Sequence, residues 1–90
     1  MPLFRIPTPL RAYTNGQNEV SVSGKTVNEI LDDLIQKYPE IETHIYDGVG
    51  SLRPFVNLYI GEENISQLQG LDTPVELNDR VMLLPSIAGG

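Results

Sequence analysis

The sequence has no cysteine, no tryptophan and one histidine, His44, and it carries six basic side chains against twelve acidic ones in ninety residues. Each scarcity excludes something. Without cysteine there is no disulfide, no thiolate nucleophile and no zinc–thiolate site, and nothing about redox compartment follows from thiols. A lone histidine with no cysteine leaves no obvious nucleophile–base pair, so no catalytic residue and no metal ligand set is assigned. The net charge of −6 argues against nucleic acid and anionic membranes, and for a protein partner that offers a basic surface. No apolar run approaches the ~20 residues that a membrane span needs. No basic segment followed by a long apolar one opens the chain, so a cytoplasmic protein is expected.

What is present suits one small domain with a single core, at 40% apolar residues. Leu3 to Ile6 alternates, with Phe4 and Ile6 on one face and Leu3 and Arg5 on the other. Pro7 and Pro9 end that strand, because proline cannot donate to a ladder. Thr14-Asn15-Gly16-Gln17 is a turn signal and Glu19 to Val22 alternates again, so a hairpin is expected. Thr26 and Glu29 form a capping box. Val27, Ile30, Leu31, Leu34, Ile35 and Tyr38 follow at helical spacing, and Pro39 stops the helix.

Glu40 to Pro54 reads as a short helical turn near Ile41–Ile45 and then a loop through Gly48 and Gly50. Arg53 to Ile60 is a strand with Val56, Leu58 and Ile60 on one face. A turn at Gly61–Asn64, a short strand around Asn64–Ser66 and an irregular stretch from Leu68 to Asp79 lead to the last strand, Val81 to Leu84. The pattern is α+β: a mixed sheet of four to five strands wrapped on one main helix, with the last strand paired to the first.

The chain finishes Leu84-Pro85-Ser86-Ile87-Ala88-Gly89-Gly90. A carboxyl terminus on two glycines is the least hindered acyl group a protein can present, with no β-carbon near it and free backbones on both residues. Residues 1–84 are read as the domain and 85–90 as a flexible, charge-free tail. Extended, that tail reaches on the order of 20 Å, enough to enter another protein's active site.

The order of elements, the size and this ending resemble the ubiquitin-like β-grasp sulfur carriers, which serve molybdopterin, thiamine or cysteine synthesis. Ile6-Pro7-Thr8-Pro9-Leu10-Arg11 and Phe55-Val56-Asn57-Leu58-Tyr59-Ile60 carry the resemblance besides the terminal motif. The second of these, with the long loop before it, is closer to the cysteine-synthesis branch than to the molybdopterin synthase small subunit. The resemblance implies that Gly90 is activated as an acyl adenylate by a ubiquitin-activating-like adenylyltransferase/sulfurtransferase that uses ATP, then becomes a thiocarboxylate, with no cofactor bound by the chain. It implies that Gly89 and Ala88 thread the enzyme's channel. The sulfur acceptor would be a cysteine-synthase-like enzyme or the large subunit of molybdopterin synthase. A ubiquitin-like modifier joined to lysines through Gly90 stays open, as does a plain binding module.

Strand alternation adds one expectation. If Val81 and Leu83 point at the helix, Met82 and Leu84 point away; if Val56, Leu58 and Ile60 point in, Phe55 and Tyr59 point out. Phe55, Tyr59, Met82 and Leu84 would then form an apolar docking patch at the root of the tail, unless the Glu40–Pro54 loop covers it. Asp32-Asp33 and Glu62-Glu63 are read as solvated surface, His44 as a loop residue beside Glu42, and Asn64-Ile65-Ser66 as a sequon without meaning in a cytosolic chain.

Overall fold

The computed structural model describes residues 1–50, 52, 53 and 56–85. Its strands are β1 (Leu3–Arg5), β2 (Glu19–Ser21), β3 (Val56–Ile60), β4 (Glu63–Asn64) and β5 (Arg80–Pro85), and its helices are α1 (Val27–Lys37) and α2 (Glu42–Ile45). The spatial order of the sheet is β2-β1-β5-β3-β4. The last strand pairs with the first, as expected, and lies parallel to it, while every other pairing is antiparallel.

The main helix starts where the capping box places it, with one adjustment. Thr26 Oγ1 accepts the Glu29 N–H at 3.2 Å, but the Glu29 carboxylate reaches back to the N–H of Lys25, at 2.9 Å, and not to that of the cap residue. Gly24 makes the approach possible. Its φ is +151°, and a β-carbon there would lie 2.8 Å from Glu29 Cβ and 2.9 Å from the Ile30 nitrogen. Val27, Ile30, Leu31 and Leu34 are wholly buried, whereas Ile35 is partly buried against the same core. Tyr38 caps the C-terminal end through its N–H to the Leu34 carbonyl, at 2.9 Å, just before Pro39.

This face packs on Phe4, Val20, Leu58, Val81 and Leu83, the inward positions of four strands, all of them buried. Ile41 and Ile45, from the turn after α1 and from α2, complete the core. The long stretch before β5 stays irregular but is tied to the helix start. Val27 N–H donates to the Thr73 carbonyl at 3.1 Å, and Val75 N–H to that of Lys25 at 2.8 Å. The buried Thr73 hydroxyl donates to the Gly70 carbonyl at 2.7 Å and accepts from the Gln69 N–H at 3.0 Å.

Three boundaries differ from the sequence reading. The expected hairpin of β1 and β2 forms, antiparallel, but its connection is longer than the Asn-Gly turn, because Thr8–Tyr13 winds into a 3-10 helix that buries Leu10. Pro9 falls in its first turn, where a missing N–H costs nothing. The expected Asn15-Gly16 turn follows it, with φ of 56° and 80°. The strand expected from Arg53 begins at Val56, because Arg53 is turned back: its N–H reaches the Ile45 carbonyl at 3.0 Å and its Nε the Thr43 carbonyl at 2.7 Å. The strand expected around Asn64–Ser66 ends at Asn64. There the side chain accepts the Ser66 N–H at 2.9 Å and starts a 3-10 turn over Ile65–Gln67. β5 runs through Pro85, and residues 86–90 of the expected tail lie outside the described residues.

Candidate functional site: the outer sheet face

Alternation along the strands leaves one sheet face turned away from the helix. A single row of Cα partners crosses all five strands of that face: Glu19, Arg5, Met82, Tyr59 and Asn64. Two residues further along β5 lies Leu84, opposite Asn57. The expected parity holds. Leu58, Val81 and Leu83 are buried, Tyr59 and Met82 are half-buried, and Leu84 is 43% exposed.

The structure therefore brings Tyr59, Met82 and Leu84 together on β3 and β5. The fourth expected member of the patch, Phe55, lies outside the described residues, as do Ala88, Gly89 and Gly90. Among its described residues, the 40–54 segment does not line the cleft beside Leu84. Its described part packs on the other side of the molecule, where Glu42, Tyr46 and Gly48 face Asn28 and Asp32 of α1 across a cleft of about 500 Å³. Burial pushes the Tyr46 phenol there above its ordinary range, and Asp32 and Glu42 add to that shift.

The sequence reading missed the neighbours of the patch. Asn57 sits inside it, and a cleft of about 390 Å³ adjoins it, lined by Arg5, Pro7, Pro9, Arg11, Met82 and Leu84. Arg11 Nε donates to the Ile6 carbonyl at 3.2 Å, which fixes the loop after β1. The signal for Arg5 was available, since outward parity on β1 and the pairing of the first and last strands together place it beside β5.

The remaining singled-out residues have structural surroundings. His44 stands on the helical turn α2, not in a loop, and its ring stacks on Tyr13 with centroids 4.5 Å apart. Asp33 is more than solvated surface. It accepts the Ser23 N–H at 2.9 Å and pairs with Lys37 at 3.1 Å, while Asp32, Glu62 and Glu63 are exposed. Among the described residues no cluster of acidic and histidine side chains could hold a metal ion, and no helix is long and apolar enough to cross a membrane.

A five-stranded mixed sheet with its first and last strands parallel at the centre, backed by one main helix, defines an α+β protein of the ubiquitin-like β-grasp type. The chain belongs to the ThiS family, whose family model matches residues 4–90. It is 40% identical over 87 residues to the sulfur carrier protein CysO of Mycobacterium tuberculosis, an alignment that covers 94% of each chain. A chain of the crystal structure of the Amycolatopsis orientalis BexX/CysO complex superposes with a TM-score of 0.90 at 33% identity, covering 100% of both chains. The crystal structure of Mycobacterium tuberculosis CysO gives 0.89 at 36% identity, over 97% of this chain and 100% of the other. The protein is a small sulfur carrier.

Proposed function

We propose that the Gly90 carboxyl carries the sulfur as a thiocarboxylate, that an ATP-dependent, ubiquitin-activating-like enzyme installs it, and that a cysteine-synthase-like enzyme consumes it for cysteine biosynthesis. A Gly90 carboxylate oxygen attacks the α-phosphorus of ATP and expels pyrophosphate. A sulfur nucleophile then attacks the acyl carbon and AMP leaves. Neither step draws on an acid, base or metal of this chain. What the chain contributes is access, because Gly89 and Gly90 put no β-carbon beside the reacting centre, and a handle by which the enzyme holds it.

The observation that carries this reading is the register of β3 and β5. It sets Tyr59 opposite Met82, with Leu84 exposed on the same face, on the strand that leads directly into the Gly-Gly segment. These three residues form the docking patch. Apolar side chains at the centre of such a surface carry most of the affinity. The relatives named as sulfur carriers, and the occurrence of the Amycolatopsis orientalis CysO in a complex with BexX, support it.

The test is the intact mass of the protein after incubation with its activating enzyme, ATP and a sulfide source. The expected result is the gain from exchange of one oxygen for sulfur at Gly90, lost when Gly90 is deleted. Deletion should leave the thermal midpoint unmoved. ATP–pyrophosphate exchange that persists in the deleted protein would overturn the reading, and adducts on lysine in its place would point to a modifier.

A further inference from the structure

We infer that Arg5 and Arg11 form an anion-reading notch beside the apolar patch, and that this notch receives a carboxylate side chain of the enzyme that docks there. The inference rests on the docking reading above and adds the chemistry of the partner. It also reverses, for this one surface, the basic partner that the net charge of the whole chain suggests.

Charge distribution carries the argument. Of the six cationic side chains in the protein, Arg5 and Arg80 occupy outward positions of the central strands and Arg11 lines the adjoining cleft. Of the twelve acids, only Glu19 holds an outward strand position among the described residues. Arg80 lies at the far end of β5 from Leu84, among Glu62, Glu63 and Asp79, so the cationic character beside Leu84 comes from Arg5 and Arg11, the charged residues of the cleft there. Glu19 does not neutralise the notch. Although it lies across from Arg5 in the strand register, the ion pair it forms is with Arg80 Nε, at 3.8 Å. Neither Arg5 nor Arg11 has an ion-pair partner among the described residues.

Geometry supplies the second element. Arg11 is held by its Nε bond to the Ile6 carbonyl, which orients the guanidinium and leaves its two terminal nitrogens as a fork for a planar acceptor. Pro7 and Pro9 stiffen the cleft wall between the two arginines. Met82 and Leu84 line the same cleft, Met82 as the strand partner of Arg5, so a loop that lays an apolar side chain on Leu84 brings its next polar group to the arginines. An aspartate or glutamate there exchanges water for two guanidinium groups. The anionic body and the cationic notch then act on different rates. The body sets the salt dependence of approach, and the notch sets how long the complex lasts.

The experiment measures binding of the full chain to its activating enzyme, with association and dissociation rates resolved, for Arg5→Glu, Arg11→Glu, Arg11→Lys and Leu84→Ala. Each arginine reversal should weaken binding at least about tenfold, through faster dissociation, with the thermal midpoint unchanged for Arg5→Glu and lowered for Arg11→Glu, which also loses the bond to the Ile6 carbonyl. Arg11→Lys should fall between, since it keeps the charge and loses the fork. If Leu84→Ala weakens binding while both arginine reversals bind like the parent, the notch is overturned and the docking face stands. If none of the four changes binding, the docking reading fails and the notch with it. Tighter binding by the reversals would mean that the enzyme presents cations here, or that the chain's own carboxylate competes for the notch; either result overturns the proposal.

Discussion

Leu83 and Leu84 are neighbours in β5 with opposite environments, 1% and 43% exposed. Leu83 stands across from Leu58 over the helix, and Leu84 across from Asn57 on the open face. The side-chain period of a strand is two, so the change from core to surface occurs in one residue. That pair separates stability from recognition.

Leu83→Asp should unfold the domain. It places an unpaired carboxylate in the core, a cost on the order of 4 kcal/mol or more, within a total stability of ~5–15 kcal/mol. Leu84→Asp should change stability by no more than about 0.5–1 kcal/mol yet weaken binding to the activating enzyme by roughly 2 kcal/mol. Urea denaturation and a binding titration on both variants make the check. Equal destabilisation would show that Leu84 is core.

Leu34 is wholly buried at the middle of the α1 face. Leu34→Ala should cost roughly 2–5 kcal/mol, from the lost methyl groups and the cavity they leave. A denaturation curve that shows a loss below about 1 kcal/mol would mean the helix repacks around the gap.

Gly24→Ala tests the crossover from β2 to α1. With φ at +151° and Glu29 Cβ and the Ile30 nitrogen both closer than 3.0 Å to the added carbon, either the first turn of the helix shifts or the backbone strains. The expected loss is roughly 1–3 kcal/mol. The amide exchange that speeds up first should be that of Val27 to Ile30.

Asp33 predicts an acid-side dependence of stability. The Ser23 N–H is the main cause holding its carboxyl below the ordinary value of 3.8; partial burial opposes this, and Lys37 adds to it. A carboxyl depressed on folding stabilises the protein above its unfolded pKa, and that contribution fades as pH falls through the folded value. Asp33→Asn should therefore be less stable than the parent at neutral pH, with the gap closing as the pH drops below about 4. Urea midpoints of both proteins across that range decide it. A constant gap would assign the difference to something other than charge.

The helix and the parity of the strands were legible because both depend on period and on local chemistry. Thr26, Glu29 and Pro39 mark the ends of α1, and the apolar spacing marks its face. What was not legible depended on competition between local and long-range bonds. Asn64 could extend a strand or cap a turn, and its own side chain closes the turn. Arg53 could continue β3, but the carbonyls of Thr43 and Ile45 draw it back, and both belong to a segment with weak pattern. At the site, Met82 and Leu84 stood out as apolar residues where polar ones are expected. Arg5 and Arg11 looked like ordinary surface until the pairing of β1 with β5 put them beside Met82 and Leu84.

The row that crosses the outer face joins Arg5 near one end of the sequence to Met82 near the other, with Tyr59 between the two in the chain. Contacts that distant in sequence form late and all at once, since the intervening loop entropy must be overcome before any of them is rewarded. A docking surface built on this row, as proposed above, is complete only once these strands have paired. A copy that has misfolded, or whose strands have slipped by one residue, turns these side chains to the wrong side, however intact its glycines. On the function proposed above, an enzyme that grips this row would test folding before it spends ATP, and sulfur would be loaded only onto finished molecules.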